Sequence, residues 1–322
     1  MECWRVAESS DEMNRISVII VSWNARKFLQ GCLESLRRVS RERLAEIIVV
    51  DNASTDDSPE LVSECFPEVT LIRAKENLGF ARANNLGIKH ATGAYLALIN
   101  SDVIVHADCL ERLSDFLDNH PTIGLVGPRV VGGDGHLQIT CRRLPTIWNY
   151  FCCVLGLDRL FARCPLFSGF EMRHWNYDLQ GDVQVLSGCF WLARAAAVRK
   201  VGGLDEQFFF YAEDMDWCKR FLDAGWRVCY FPEAKATHFG GGSSSNAPLR
   251  YSIEMLRANL KYWQKHHGRL GQSAYFALAL LYHSFRLVAR AILRVLRLGS
   301  TTRHKLQEHL VCVRWLLTGK EV

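Results

Sequence analysis

Four short runs of almost unbroken aliphatic and β-branched residues occupy the first hundred positions: Ile16–Val21, Glu46–Val50, Val69–Ile72 and Ala94–Ile99. A strand with one face in water alternates apolar and polar residues, whereas a strand covered on both faces does not. These runs therefore predict parallel strands buried between layers of helix. Helical patterns lie between them. Leu29, Leu33 and Leu36 recur at helical spacing, and Ser58-Pro59 reads as an N-cap followed by proline at the first helical position. Phe80–His90 forms a third helical stretch, ended by Thr92-Gly93. Such alternation predicts a doubly wound α/β half.

The pattern changes after residue 103. Leu110–Leu117 predicts a helix and Gly124–Val131 a strand, and residues 132–182 read as irregular with many aromatics. Val183–Leu192 predicts a strand, Arg194–Val201 and Asp214–Leu222 helices, and Val228–Phe231 a closing strand before the flexible run Gly240 to Ser245. With 322 residues there is room for one large α/β domain and a smaller appendage. The formal net charge of +5 is modest and gathers toward the C-terminus, which argues against nucleic acid as a partner. The twelve cysteines are scattered without C-x-x-C spacing, and residues 1–15 carry charges at Glu2, Arg5, Glu8, Asp11 and Glu12 among others and no apolar run. They read as reduced, buried small hydrophobes in a cytoplasmic protein.

In a doubly wound sheet, ligands bind beyond the carboxyl ends of the strands. Here each predicted strand runs straight into polar residues: Ser22-Trp23-Asn24, Asp51-Asn52, Arg73 to Lys75, and Asn100-Ser101-Asp102. Asp51 stands where a carboxylate accepts hydrogen bonds from a nucleoside. The first turn lacks G-x-G-x-x-G, which disfavours a dinucleotide-binding dehydrogenase, and a nucleotidyltransferase would be expected to carry a basic glycine-rich loop there. Asp102 is placed to hold Mg2+ or Mn2+ on a diphosphate, although an Asx-turn explains the same residues. Glu213 and Asp214 open a helix containing Asp216 and Trp217; they read equally as helix-capping acids and as a general base in a cleft. His238 becomes a site residue only as a further member of a metal site.

These segments together resemble family 2 inverting glycosyltransferases. The resemblance is carried by Ile16 to Asn24, Ile47 to Asp56, Asn77 to Asn85, Leu98 to Val103 and Phe210 to Trp217, in order along residues 16–245. Cys141-Arg-Arg-Leu-Pro145 and Leu186-Ser-Gly-Cys-Phe190 are similar to bacterial rhamnosyltransferases of surface-polysaccharide assembly. The resemblance implies a GT-A-type doubly wound mixed sheet with flanking helices and a C-terminal helical appendage. It divides the chain into a tail (1–15), a GT-A domain (16–245, with a nucleotide-binding half to 103 and an acceptor half beyond) and a helical segment (246–322).

It also implies roles. Asp51, Ser22, Asn24, Asn77, Gly79, Asn84, Asn100 and Ser101 would form the nucleotide pocket. Asp102 and His238 would bind the divalent cation, with Asn100 standing in place of the first acid of the DXD-type motif. Asp214 would be the catalytic base supported by Glu213, and Gly188 and Trp217 would meet the acceptor. The implied reaction moves a sugar, rhamnose from dTDP-rhamnose in the first instance, to a glycan or polyprenyl-linked acceptor. A UDP-sugar hexosyltransferase and a non-catalytic GT-A-like binding module stand as alternatives. Near the C-terminus, Leu270–Phe285 contains no acid, lysine or arginine, and Arg286, Arg290, Arg294 and Arg297 recur on one helical face. This basic amphipathic stretch predicts a peripheral attachment to the inner face of the cell membrane.

Overall fold

The computed structural model describes residues 15–240, 248–295 and 302–320. The tail 1–14, the glycine-serine run from 241, the boundary expected near 245 and Arg297 lie outside the described residues. The four apolar runs form parallel strands with three helices between them: β1 (Ile16–Ser22), α1 (Arg26–Leu36), β2 (Leu44–Asp51), α2 (Ser58–Cys65), β3 (Thr70–Arg73), α3 (Gly79–His90) and β4 (Tyr95–Asn100). One detail differs from expectation. The residue capping α2 is Asp57, in a left-handed conformation with no side-chain cap bond, so Ser58 and Pro59 both lie inside the helix.

The chain continues through β5 (Val103–Val105), α4 (Cys109–Asn119), β6 (Ile123–Val131) and the two-residue β7 (Cys141–Arg142). Three short helices follow, α5 (Ile147–Leu155), α6 (Leu157–Leu160) and α7 (Pro165–Ser168). Then come β8 (Gly181–Asp182), β9 (Val185–Leu186), β10 (Phe190–Arg194), α8 (Ala195–Val201), α9 (Glu213–Asp223) and β11 (Arg227–His238), and lastly α10 (Pro248–Val295) and α11 (Thr302–Thr318). The main sheet runs β3-β2-β1-β4-β10-β6-β11-β5, with β8 on β11. It is mixed: β10 runs antiparallel to both β4 and β6, while β6 and β11 are parallel. The strand expected over Val183–Leu192 is two strands. Between them the backbone turns away to other partners, Ser187 N–H donating to the Thr140 carbonyl (2.8 Å) and the Cys189 carbonyl accepting from Asn100 N–H (3.0 Å).

Apolar side chains from β1, β2, β4, β6, β10 and β11 meet α1 and α4 in one core, which includes the fully buried Ile16, Val18, Leu29, Val49, Ala97, Leu113 and Leu192. Burial of each isoleucine, valine or leucine among them stabilises the fold by about 1.5–3 kcal/mol. Cysteines 32, 109, 189 and 229 sit in this core, and no disulfide forms among the described residues.

The chain divides into two compact units. The sheet unit takes residues 15–144, 175–209 and 213–240, and the second unit takes 145–174, 210–212 and the C-terminal helices. The excursion 145–174, expected inside the catalytic domain, thus clusters with the C-terminal segment. Within the second unit Tyr150 explains this: its hydroxyl bonds the Asn259 amide oxygen (2.9 Å) and its ring packs edge-on against Tyr275 (4.8 Å between centroids). Thr146 and Asn149 close a capping box that starts α5. Helix α10 bends at Gly268, whose φ is 66°.

Two of the four C-terminal arginines, those whose side chains are described, depart from the amphipathic expectation. Arg286 and Arg290 are half-buried with their Nε atoms hidden, beside His309 of α11. The face left exposed is apolar, Leu281 (52%), Phe285 (59%), Val288 (58%) and Ile292 (54%) following one another at helical spacing. α10 is the one helix among the described residues that is long and apolar enough to cross a membrane.

Candidate active site

The register of β1, β2 and β4 builds one edge of the site. Ser22 pairs with Asp51 across β1 and β2, and Val21 pairs with Asn100 across β1 and β4. Ser22 and Asp51 are buried, and Ser22 Oγ and Asp51 Oδ1 have no hydrogen-bond partner. A buried polar atom left unsatisfied costs about 1–3 kcal/mol, so such a pair at a strand edge marks a place built to be completed by a ligand. Asp51 Oδ2 accepts from Ser54 N–H (3.2 Å), which curls the next loop over the strand end.

The other expected nucleotide residues divide into two kinds. Asn24 and Asn84 have their amides engaged in the fold. Asn24 Oδ1 accepts from Thr55 N–H (2.8 Å), tying the first loop to the second, and Asn84 Nδ2 donates to the Phe80 carbonyl (2.9 Å) within α3. Asn77 Oδ1 accepts from Gly79 N–H and from Asn52 Nδ2, both at 2.9 Å, and Asn52 Oδ1 accepts from Leu78 N–H (2.7 Å). Asn52, which the sequence reading did not single out, therefore holds the whole Asn77–Gly79 turn beside Asp51. Its side chain can do so because it follows the last strand residue and points back across the edge. Gly79 has φ 77°, and a Cβ there would lie 2.5 Å from the Phe209 carbonyl oxygen, so the turn closes only on glycine.

At the next strand end Asn100 leads into Ser101 and Asp102, both buried. β11 runs antiparallel to β5 and sets His238 opposite Val103, next to Asp102. The result is a distance of 3.3 Å from His238 Nε2 to Asp102 Oδ1, and Phe239 N–H donates to the Asp102 carbonyl (3.0 Å). Two residues 136 positions apart in sequence thus form one oxygen-and-nitrogen donor pair. Among the described residues no three His, Cys, Asp or Glu side chains gather in this way. The pair fits a divalent cation that takes most of its ligands from phosphate and water, as Mg2+ and Mn2+ do at nucleotide sites.

The acids of α9 lie in a second cluster. Glu213 is buried with Oε2 unpartnered; burial, and then the neighbouring Asp214 charge, push its pKa up to about 8. Burial also raises Asp214, but the Arg142 guanidinium opposes that rise at 3.6 Å from Asp214 Oδ2. Arg142 was missed by the sequence reading, although it lies inside the quoted run Cys141 to Pro145. It reaches Asp214 because β7 pairs with β9, Cys141 opposite Leu186 and Arg142 opposite Val185. Two motifs forty-odd residues apart are therefore halves of one ladder. The same segment links the two clusters: the buried Cys189 thiol, raised to about 12 chiefly by burial, also feels the Asp102 carboxylate and the Arg142 guanidinium.

Two acceptor assignments are affected. Gly188 packs without a side chain against Trp191, where a Cβ would sit 3.2 Å from the indole. Trp217 is corrected outright, because it is a core residue with no exposed surface. Its Nε1 donates to the Gly202 carbonyl (2.9 Å), and its ring packs on Trp191 and Phe221. Asp216 is likewise fully buried and pairs with Arg220 (2.8 Å), which anchors α9 by donating to the Val201 and Gly203 carbonyls.

Solved structures share this architecture. A mannosyltransferase of Pyrobaculum calidifontis, solved with GDP-Man and Mn2+, covers 99% of this chain and 92% of its own with a TM-score of 0.58 at 19% identity. GalNAc-T7, solved with UDP, GalNAc and Mn2+, covers 95% of this chain and 56% of its own with a TM-score of 0.55 at 15% identity. The fold is that of the GT-A glycosyltransferases. By sequence, residues 17–202 match Glycosyl transferase family 2, and the chain belongs to that family. An N-acetylglucosaminyl-diphospho-decaprenol L-rhamnosyltransferase of Mycobacterium tuberculosis is 28% identical over 73% of this chain and 80% of its own. A pre-mycofactocin glycosyltransferase of the same organism is 28% identical over 73% of this chain and 48% of its own.

Proposed function

We propose that this glycosyltransferase transfers a sugar, with inversion, from a nucleoside diphosphate donor to a lipid-linked acceptor at the membrane surface. The observation that carries the reading is the strand edge where Ser22 Oγ and Asp51 Oδ1 are buried and unpartnered, next to the Asp102–His238 pair. Asp51 and Ser22 bind the nucleoside, and Asp102 and His238 hold the cation. A bound divalent cation supplies charge neutralisation for the leaving diphosphate.

Asp214 takes the proton from the acceptor hydroxyl as it attacks the anomeric carbon, and inversion follows from a single displacement. Of the two acids Asp214 is suited to this, because Arg142 favours its charged form while burial holds Glu213 neutral. Glu213 then adds no second negative charge beside the developing alkoxide. Rhamnose is the first donor sugar to test, on the name of the Mycobacterium tuberculosis relative, and that name also supports a diphospho-polyprenol acceptor. The exposed apolar face of α10 supports attachment to the cytoplasmic face of the membrane. So does the exposed cluster of Trp148, Leu155, Leu160, Phe161 and Leu166 on α5–α7, where the only exposed charges are Arg159 and Arg163.

The test is a donor screen with Mg2+ or Mn2+, reading nucleoside diphosphate release with N-acetylglucosaminyl-diphospho-polyprenol as acceptor. Release with dTDP-rhamnose above the other donors supports the full reading, and release with a UDP-sugar instead replaces the donor. Asp102→Ala and EDTA should each abolish it; equal turnover with and without EDTA refutes the cation's part.

A further inference from the structure

We propose that Gln138 is a positioning residue for the cation end of this site, fixing His238 in the ring tautomer whose unprotonated Nε2 faces Asp102. The reasoning is stereochemical. Gln138 Nε2 donates to the main-chain carbonyl of His238 (2.8 Å). An amide nitrogen donates and does not accept, so this bond settles which end of the Gln138 side chain faces which atom. Its Oε1 is therefore the atom 2.9 Å from His238 Nδ1. Oε1 offers only lone pairs, so Nδ1 carries the proton, and in the neutral ring Nε2 keeps its lone pair.

That nitrogen lies 3.3 Å from Asp102 Oδ1. A lone-pair nitrogen and a carboxylate oxygen held face to face repel unless a positive charge lies between them. The arrangement is that of a metal-binding histidine whose second nitrogen is held by an outer partner.

Gln138 is not placed by chance. Residues 131–138 double back from β6: Gly132 N–H donates to the His136 carbonyl (2.8 Å), and Gln138 N–H donates to the Val130 carbonyl (3.0 Å). Asp134 Oδ1 accepts from His136 N–H (3.0 Å) and Gly135 takes φ 79° at the turn. Gly133 lets the hairpin lie on Phe239, where a Cβ would come within 2.8 Å of the ring. Phe239 in turn donates its N–H to Asp102 (3.0 Å). One hairpin thus sets both the His238 ring and the strand end that carries it.

The inference rests on the cation-dependent reading, and two measurements on the full chain separate them. The first uses no metal: 15N-histidine NMR at a pH of about 8, above the ordinary histidine range. It should show the His238 resonance, assigned with His238→Ala, in the Nδ1–H form in wild type. In Gln138→Leu that preference should be lost. A wild-type His238 in the Nε2–H form, or no change in the variant, overturns the inference.

The second is Mn2+ titration by electron paramagnetic resonance in the presence of dTDP. Gln138→Leu should weaken uptake about 10–100-fold, the usual effect of losing an outer partner of a metal-binding histidine. Gln138→Glu, which still offers Nδ1–H an acceptor, should stay within a few-fold of wild type. Equal Mn2+ affinity in wild type and a normally melting Gln138→Leu overturns the inference. Absence of Mn2+ uptake by wild type overturns the cation-dependent reading instead, with the tautomer result still judging Gln138.

Discussion

Gly79→Ala tests whether the nucleotide-side turn closes against Phe209 as described. Two costs add. A non-glycine residue at φ 77° pays about 1–2 kcal/mol for the left-handed conformation. The new Cβ would also lie 2.5 Å from the Phe209 carbonyl oxygen, a backbone atom that cannot rotate away. The loop that carries Phe209 must move, and the 2.7 Å bond from Phe80 N–H to that oxygen is lost or bent, for about another 1 kcal/mol. The sum is about 2–3 kcal/mol. For a sheet unit of this size that lowers Tm by about 4–12 °C, at about 2–4 °C per kcal/mol.

Gly225 provides the control, since it has φ 84° but nothing within 4 Å of its Cβ position. Gly225→Ala should lose only the conformational part, about 1–2 kcal/mol. Differential scanning calorimetry of both variants, with dTDP titration of Gly79→Ala, reads the difference. Gly79→Ala should melt lower than Gly225→Ala and bind dTDP more weakly. Equal melting of the two variants would refute the close approach to Phe209.

Arg142→Gln removes the charge that favours ionised Asp214, so the acid limb of the kcat/KM profile should move to higher pH. Activity there should fall about tenfold, the low end of what one guanidinium within about 4–6 Å does to a carboxylate; an unmoved limb sinks that role. Glu213 has a raised pKa in the folded chain, so between its ordinary value and about 8 the native state holds a proton that the unfolded chain has released. Stability should therefore fall as pH rises through that window, and urea midpoints of Glu213→Gln should lose that slope. Phe285→Asp with Ile292→Asp, on the exposed face of α10, should lower flotation with anionic vesicles at least severalfold while leaving the melt unchanged. Wild-type flotation by that variant removes the face from membrane binding.

The sheet was legible because burial on both faces leaves a local mark: a run of Ile and Val needs no knowledge of its partner. The polar strand ends could be read for the same reason, since each directly follows its strand. Arg142 and Gln138 left no such mark. Arg142 reaches Asp214 only through the two-residue ladder between β7 and β9, and Gln138 reaches His238 only through a hairpin of glycines. Neither contact has a periodicity.

Trp217 misled because an indole beside catalytic acids looks the same in sequence whether it faces a cleft or the core. Here the spacing that puts Glu213 and Asp214 at the start of α9 turns Trp217 inward onto Trp191. Arg286 and Arg290 misled for the converse reason. An arginine on a helix face predicts a wet surface only when no neighbouring helix lies against it, and these two lie half-buried beside His309 of α11.

Asp214→Asn bears most directly on the central claim, that the acid facing Arg142 is the base which deprotonates the acceptor. The variant keeps the shape of the side chain and removes its basicity. Calorimetry should find dTDP-sugar affinity within a few-fold of wild type, while single-turnover transfer falls at least about a hundredfold. Transfer near the wild-type rate would contradict the assignment and pass the role of base to another residue.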